Sequence, residues 1–332
     1  MMTLRNTKSK IKVAGERSRE FNIRRGLKQG DALSCTLFNL TLERIMRQVS
    51  TNPGGTLLNR LSYYVAYADD VDLLSRREVE LREIFLQFEQ ESKKAGLAVN
   101  EFKTKYMYMS RKPDLRLNAT PSFSVANHKF EKVDAFKYLG SLVTHNNENS
   151  MEIKERLKAG NRTYYSLQNI LKSRFLTRTT KARIYRTVLR PVVLYGSETW
   201  VMTAREELML NTWERKVLRR IYGPVCEQGE WRIRTNKELY GLYKEPSLVS
   251  EIKSARIRWL GHIERMDKQR GVQKAYSQKP EGRRLPGRPR KRWIDDVEDD
   301  LKKLGVRGWR RKAQEREEWR KVVKEAKARN GL

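Results

Sequence analysis

The chain has 332 residues, and its 71 Lys and Arg against 40 Asp and Glu give a formal charge of +31 and a pI near 10.2. A polyanion is the expected partner, nucleic acid first and an acidic membrane surface second. Two cysteines, Cys35 and Cys226, and three histidines exclude a zinc ribbon or finger and a disulfide framework. No apolar run nears the ~20 residues of a spanning helix, and the first residues, MMTLRNTKSKIKVAGERSRE, lack the apolar core of a secretory signal. The chain therefore reads as intracellular and reduced, in the nucleus or cytoplasm and not secreted, with no membrane partner.

Residues 4–25 alternate loosely around Gly15, with Ile11, Val13, Phe21 and Ile23 apolar, and predict a hairpin. A Met-Met start beside strand material suggests a chain that begins partway through a domain. From Gly26 a glycine-rich turn opens a helix whose stripe is Leu33, Leu37, Leu40 or Thr41, Arg44 or Ile45, and Val49, with Asp31 or Ser34 as cap. Such a turn lets backbone N–H groups approach a phosphate or a base pair. Residues 61–74, LSYYVAYADDVDLL, are two β-forming runs around an acidic turn, so Asp69 and Asp70 fall at a hairpin tip. Carboxylates fixed there suit a hard cation such as Mg²⁺, although an Asp-Asp pair in isolation is usually a solvated turn. Glu78 to Ala95 is a charged amphipathic helix closed by Gly96. Leu97–Met109 returns to strand character and carries Asn100 and Lys103, and Phe136–Val143 is a strand pair bent at Gly140.

Four blocks, in one order, resemble the palm of a reverse transcriptase of the non-LTR retrotransposon type. They are Gly26-Leu27-Lys28-Gln29-Gly30 with Leu33-Ser34 and Leu37-Phe38; Tyr67-Ala68-Asp69-Asp70; Gly96-Leu97 with Asn100 and Lys103-Thr104; and Phe136-Lys137-Tyr138-Leu139-Gly140. The resemblance implies an RNA-directed DNA polymerase. Two Mg²⁺ ions about 3.5–4 Å apart would stabilise the attacking and leaving oxygens of nucleotidyl transfer. It implies Asp69 as metal ligand with Asp70 beside it, and Lys103 as assistant to the leaving pyrophosphate. It places Gln29 and Gly30 against nucleotide and template, and Phe136, Tyr138, Leu139 and Gly140 at the primer end. RNA and DNA, as template and primer, are the implied partners.

The sequence departs from that pattern at Cys35, where proline is usual, and at Asp72, where an apolar residue is usual. The family's other metal-binding aspartate lies on a strand upstream of the Gln-Gly block, yet the first aspartate here is Asp31. The expectation is an N-terminally truncated enzyme, without fingers and inactive as this chain.

From Met151 the pattern turns helical. The stripes are Ile153, Leu157, Tyr164, Leu167 and Leu171; Thr179 to Leu189, interrupted at Pro191; Met209, Trp213, Val217 and Ile221; and Leu248, Ile252, Ala255, Trp259, Ile263 and Met266. By the same resemblance these make a thumb and connector, with Arg174, Arg178, Lys181, Arg183 and Arg186 on a basic face for phosphates. Residues 279–292, KPEGRRLPGRPRKR, form a basic linker. Its Gly287-Arg288-Pro289-Arg290 core resembles an AT-hook; non-specific phosphate binding and a nuclear address are the alternatives for Arg288, Arg290, Lys291 and Arg292. Trp293, Val297, Leu301 and Leu304 mark one final helix and Trp309, Ala313, Trp319 and Val323 another, with Asp295, Asp296, Glu298, Asp299 and Asp300 read as the solvated acidic N-terminal half of the first, a nuclease carboxylate cluster being the alternative.

The expected fold is α+β: a partial palm over 1–145, a helical thumb and connector over 146–270, and a basic linker with C-terminal helices over 271–332. The alternative function is a non-catalytic RNA- or DNA-binding protein that uses the basic thumb and tail.

Overall fold

The computed structural model describes residues 8–23, 30, 32–49, 64–75, 77–110, 122–277 and 291–328. It mixes helices with small, mostly antiparallel sheets, an α+β architecture. The chain divides into two compact units. The first holds residues 1–104 and 124–129, and the second holds 105–123 and 130–332.

In the first unit, the strand pairs Lys8–Ser9 with Phe21–Asn22 and Lys12–Val13 with Glu16–Arg17 nest into one hairpin. Ala14 and Gly15 turn it with φ of 49° and 96°, the two left-handed residues of a type I′ turn. The helix Ala32–Gln48 follows. Its buried side is Leu42, Ile45, Met46 and Val49, so the expected stripe is corrected: Leu33 and Leu40 face solvent. Ser34 lies inside the helix and does not cap it; Asp31 falls outside the described residues.

The helix Glu78–Lys94 stops as the sequence predicts. Gly96 takes φ 77°; its N–H reaches Lys93 O, and Leu97 N–H reaches Ser92 O. That pair of bonds is a Schellman closure, which a left-handed glycine permits at little cost. Val49 and Ile84 from the two helices pack together with Leu73 and Phe88.

The expected strand over Leu97–Met109 is reduced to Lys105–Tyr106. Asn100 is the reason. Its Oδ1 accepts from Lys103 N–H at 3.1 Å and its carbonyl accepts from Thr104 N–H at 3.0 Å. Asn competes with a ladder in this way wherever its side chain closes a local turn.

The hairpin tip 124–129 also belongs to the first unit and is held by an ionic clamp. His128 Nε2 lies 2.8 Å from Glu89 and Nδ1 lies 3.2 Å from Glu101. Glu89 raises the imidazole pKa above its usual 6.5, and Glu101 adds to this. Lys93 and His128 lower Glu89, while the Lys129 N–H and His128 lower Glu101.

The second unit begins with Tyr106, Phe123 and Phe130, whose rings stack at 5.1 and 6.3 Å. The hairpin Ala135–Tyr138 with Ser141–Thr144 follows. The rest is helical. Asn149–Ser166 packs closely on Arg190–Leu194 and on Ala204–Tyr222 because Gly160 has no side chain: a Cβ there would meet Val193 Cγ2 at 2.6 Å and Trp213 Cζ2 at 2.8 Å. The helix begun at Arg178 runs through a π turn at Tyr185–Leu189 and on to Leu194. The interruption expected at Pro191 is therefore corrected: the proline lacks an N–H, and the ladder shifts by one bond ahead of it without breaking the helix.

Glu214 lies at the centre, fully buried. Its carboxylate accepts from Tyr185 Oη at 2.7 Å, Tyr240 Oη at 3.0 Å and Leu248 N–H at 2.8 Å. The helix Leu248–Glu264 is buried on nearly every side. A second core forms on its far half from Ile257, Leu260, Val297, Leu301, Ala313, Trp319 and Val322.

The final expected helix is two, Trp309–Gln314 and Arg316–Ala328, because Glu315 is extended. The solvated acidic N-terminal half is also corrected. Asp296 and Asp300 are buried and both bond the buried Arg256. Their spacing places them on the inner face of Trp293–Lys303, where a cation on the partner helix compensates them.

Two sets of measurements check these contacts. Trp319 covers Gly261, where a Cβ would meet Trp319 Nε1 at 2.0 Å, whereas at Gly241 it would meet nothing within 4 Å. Gly261→Ala is expected to cost about 1–3 kcal/mol in thermal melting by circular dichroism, and Gly241→Ala to gain about 0.5–1 kcal/mol through helix propensity. Equal effects would contradict the packing.

For His128, the clamp's contribution is fully present below pH 6.5 and is lost as pH rises through the raised folded value. The glutamates contribute above pH 4.5 and lose that contribution as pH falls through their lowered folded values. NMR titration should place the His128 pKa above 6.5 and return it towards that value in Glu89→Gln. The first unit should be less stable near pH 8.5 than near pH 6, a difference that His128→Gln removes.

Candidate active site

Tyr64–Tyr67 and Asp70–Leu73 pair antiparallel, with Tyr67 opposite Asp70 and Val65 opposite Asp72. Ala68 and Asp69 form the corner. The sequence reading of a hairpin with carboxylates at its tip thus holds in backbone form. Strand alternation puts Asp70 and Asp72 on one face and Val71 and Leu73 on the other. Leu73 anchors the second face on Val49 and Ile84.

Ala68 has φ 53°. It is the first central residue of a two-residue turn, a position that glycine fills most readily, and an alanine there stores about 1–3 kcal/mol. The strained corner projects Asp69 and Asp70 into solvent. Asp72, half-buried on the same strand, has its carboxyl pushed up to about 6 by burial and by the neighbouring Asp70.

Both tip carboxylates suit a divalent cation by charge and donor type. Two ions, however, need carboxylates converging from more than one strand. Among the described residues no group of three His, Cys, Asp or Glu side chains is placed to hold a metal. The donor set does not fit a two-ion centre.

Lys103 is exposed on the turn that Asn100 closes. Gly30 is exposed with φ 90°, a conformation that requires glycine. Gln29, Arg288 and Arg290 lie outside the described residues. Lys291 is paired with Asp296 and Asp299 at 2.8 and 2.7 Å, and Arg292 with Asp295 at 2.8 Å. A phosphate would have to compete with these carboxylates. On the expected basic face, Arg174, Arg178 and Arg183 are exposed, Lys181 is buried, and Arg186 pairs with Glu245.

Phe136, Tyr138, Leu139 and Gly140 form the second hairpin, in the second unit. Leu139 and Gly140 turn it with φ of 46° and 81°. Sequence reasoning missed what fixes this turn. Tyr195 Oη donates to Leu139 O at 2.7 Å. Arg156 donates to Gly140 O, sits 4.6 Å from the Tyr195 ring centroid, and is itself held by Glu152 at 2.7 Å. The other Glu152 oxygen accepts from Leu142 N–H at 2.6 Å. The Glu152–Arg156 spacing of four on a helix was the one available signal. Tyr195 stands over 50 residues away and gave none.

Residues 1–143 match the family model for reverse transcriptase (RNA-dependent DNA polymerase). Three curated relatives are Retrovirus-related Pol polyproteins of R2 retrotransposable elements. The type-1 element of Nasonia vitripennis is 25% identical over 160 residues, 46% of this chain and 15% of the relative. A type-1 element of Popillia japonica is 26% identical over 213 residues, 61% and 28%. The type-2 element R2DM of Drosophila melanogaster is 30% identical over 131 residues, 38% and 12%. The chain thus spans less than a third of the length of each of these relatives.

Tyr195→Phe removes one hydrogen bond, worth about 0.5–1.5 kcal/mol. Amide exchange at Gly140 and Ser141 should accelerate by roughly 2- to 10-fold, while exchange in the Ala204–Tyr222 helix stays unchanged. A uniform acceleration would refute the local clamp. With the strained Asp69-Asp70 corner inside the matched segment, residues 1–143 are similar to reverse transcriptases, and the relatives they resemble are Pol polyproteins of R2 retrotransposable elements.

Proposed function

We propose that the chain carries the carboxylate hairpin, primer grip and thumb of a reverse transcriptase whose reaction is RNA-templated DNA synthesis. The carrying observation is the Asp69-Asp70 pair on a strained, exposed corner, anchored by Leu73, within blocks in the family's order. Template and primer are its partners. The exposed Arg174, Arg178 and Arg183 and the overall charge of +31 support contact with phosphates. No helix among the described residues is long and apolar enough to cross a membrane.

Members of this family generally use divalent metal, and Asp69 and Asp70 are the ligands this chain offers, with Mg²⁺ the ion expected. Residues 1–30 hold no aspartate to converge on Asp69 and Asp70. The proposal is that these 332 residues bind nucleic acid but do not extend a primer. An aspartate on an added upstream strand would complete the pair. The second reading, a nucleic-acid-binding protein without catalysis, rests on the same donor set and differs only in whether that addition restores activity.

Primer extension with Mg²⁺ or Mn²⁺ is expected to yield no product, and RNA and DNA affinity to fall by a decade or more over a few-fold rise in salt. Robust extension abolished by Asp69→Ala would overturn the inactivity, and salt-independent binding would overturn the phosphate contacts.

A further inference from the structure

The second unit carries a hairpin with one ionic face and one bare apolar face. Its strands Val225–Glu227 and Glu230–Arg232 pair antiparallel, with Val225 opposite Arg232, Cys226 opposite Trp231 and Glu227 opposite Glu230. Gln228 and Gly229 turn it with φ of 50° and 88°, as in a two-residue type I′ loop. On the ionic face, Arg232 bonds Glu227 at 2.8 Å and Glu238 at 2.6 Å. A two-stranded hairpin is marginal by itself, and this clasp fixes it to the helix Asn236–Tyr243. Strand alternation puts Trp231 and Ile233 on the other face, where they are 73% and 74% exposed.

Two features of the hairpin are left unmatched. In a two-residue hairpin the pair beside the loop exchanges both backbone bonds, and the next pair turns its N–H and C=O outward. Trp231 therefore offers a donor and an acceptor at the outer edge of its strand, and Cys226 offers them at the opposite edge. The sheet has only these two strands among the described residues. Glu230, also exposed, stands directly opposite Glu227, and like charges so placed destabilise a sheet. The Arg232 clasp pairs Glu227 and Glu238 and leaves Glu230 out.

The same strand of a second copy matches both. We propose that Glu230–Arg232 pairs antiparallel with Glu230–Arg232 of another copy of this chain, about a two-fold axis at Trp231. Trp231 exchanges its N–H and C=O with Trp231 of the second copy, and this register sets Glu230 of each chain opposite Arg232 of the other. On the bare face, Cys226 and Trp231 of both chains join into one apolar row with Ile233 beside it. The opposite edge has no such fit, since a two-fold pairing about Cys226 sets Glu227 against Val225. The contact is isologous and closes at two copies. Glu227, Glu230 and Arg232 are the charges of residues 225–233 in a chain of +31, so repulsion between copies is least where the hairpins meet.

Sedimentation equilibrium of the nuclease-treated full chain tests the pairing, in about 0.5 M salt to screen repulsion between copies. A monomer–dimer equilibrium is expected, with a Kd on the order of 100 μM for so small a contact. Trp231→Ala should weaken it about 10-fold or more. Glu230→Lys should weaken it roughly 5- to 10-fold, because it sets a lysine opposite Arg232 twice in each dimer. That variant ends the repulsion between Glu230 and Glu227, so the hairpin keeps its fold. The same charge change at the exposed Glu325 should leave association unchanged. Amide exchange identifies the edge: as protein concentration rises, Trp231 should gain protection and Cys226 should not. A mass that stays monomeric at about five times the expected Kd would overturn the proposal. Equal losses in Glu230→Lys and Glu325→Lys, or protection at Cys226 in place of Trp231, would do the same. So would association that nuclease abolishes, which marks a shared nucleic acid and not a paired hairpin.

Discussion

The second unit depends on one buried carboxylate. Glu214 reaches from the middle of Ala204–Tyr222 to a tyrosine on the π turn, a tyrosine on Asn236–Tyr243 and the first N–H of Leu248–Glu264. A carboxylate taken out of water loses far more than a hydrophobe gains unless its lone pairs are satisfied. Here three donors from three separate elements satisfy it, so the arrangement exists only when all of them are in place. Arg190, also buried, extends the network to Tyr243 Oη at 3.2 Å and to the carbonyls of Pro246 and Ser247 at 2.8 and 3.0 Å. Those bonds shape the segment that leads into the central helix, whose first N–H Glu214 then receives.

That central helix carries a second buried charge for a different purpose. Arg256 bonds Asp296, Asp300 and the carbonyl of Trp200, and Lys253 beside it reaches Glu207 at 2.8 Å. Trp293 Nε1 adds a bond to Glu198 O at 2.8 Å. Leu and Trp side chains would seat the C-terminal helices in several rotations. Paired charges penalise every rotation but one, since a misplaced buried ion is left without its partner. The C-terminal helices are thereby part of the second unit and not an appended tail.

The carboxylate hairpin follows another logic. Its tip is exposed, strained at Ala68 and crowded with acids, and its stability comes from the opposite face, through Leu73 on two helices. A site that spends strain and charge repulsion on its surface needs such an anchor. The hairpin Ala135–Tyr138 with Ser141–Thr144 is anchored differently, through carbonyls gripped by Tyr195 and Arg156.

Much of this was legible from residues alone, because the signals were local. Gly96 stops a helix through its left-handed backbone, Gly140 turns a hairpin for the same reason, and β-forming runs flank Asp69-Asp70. Four blocks in order disclosed the resemblance to reverse transcriptases. What the sequence could not disclose were the partners brought from afar. Asp296 and Asp300 read as solvated acids, Lys181 as a phosphate contact, and Leu33 as core, since composition and periodicity describe one element at a time. Burial depends on which face another element covers, and ion pairing on which charge it carries there. The sequence by itself determined the family resemblance, most of the helices and the carboxylate tip. The tertiary structure alone decided that Glu214 and Arg256 are the internal ties, that Tyr195 and Arg156 hold the Leu139–Gly140 turn, and that Glu227 and Glu238 clasp Arg232 behind the exposed Trp231.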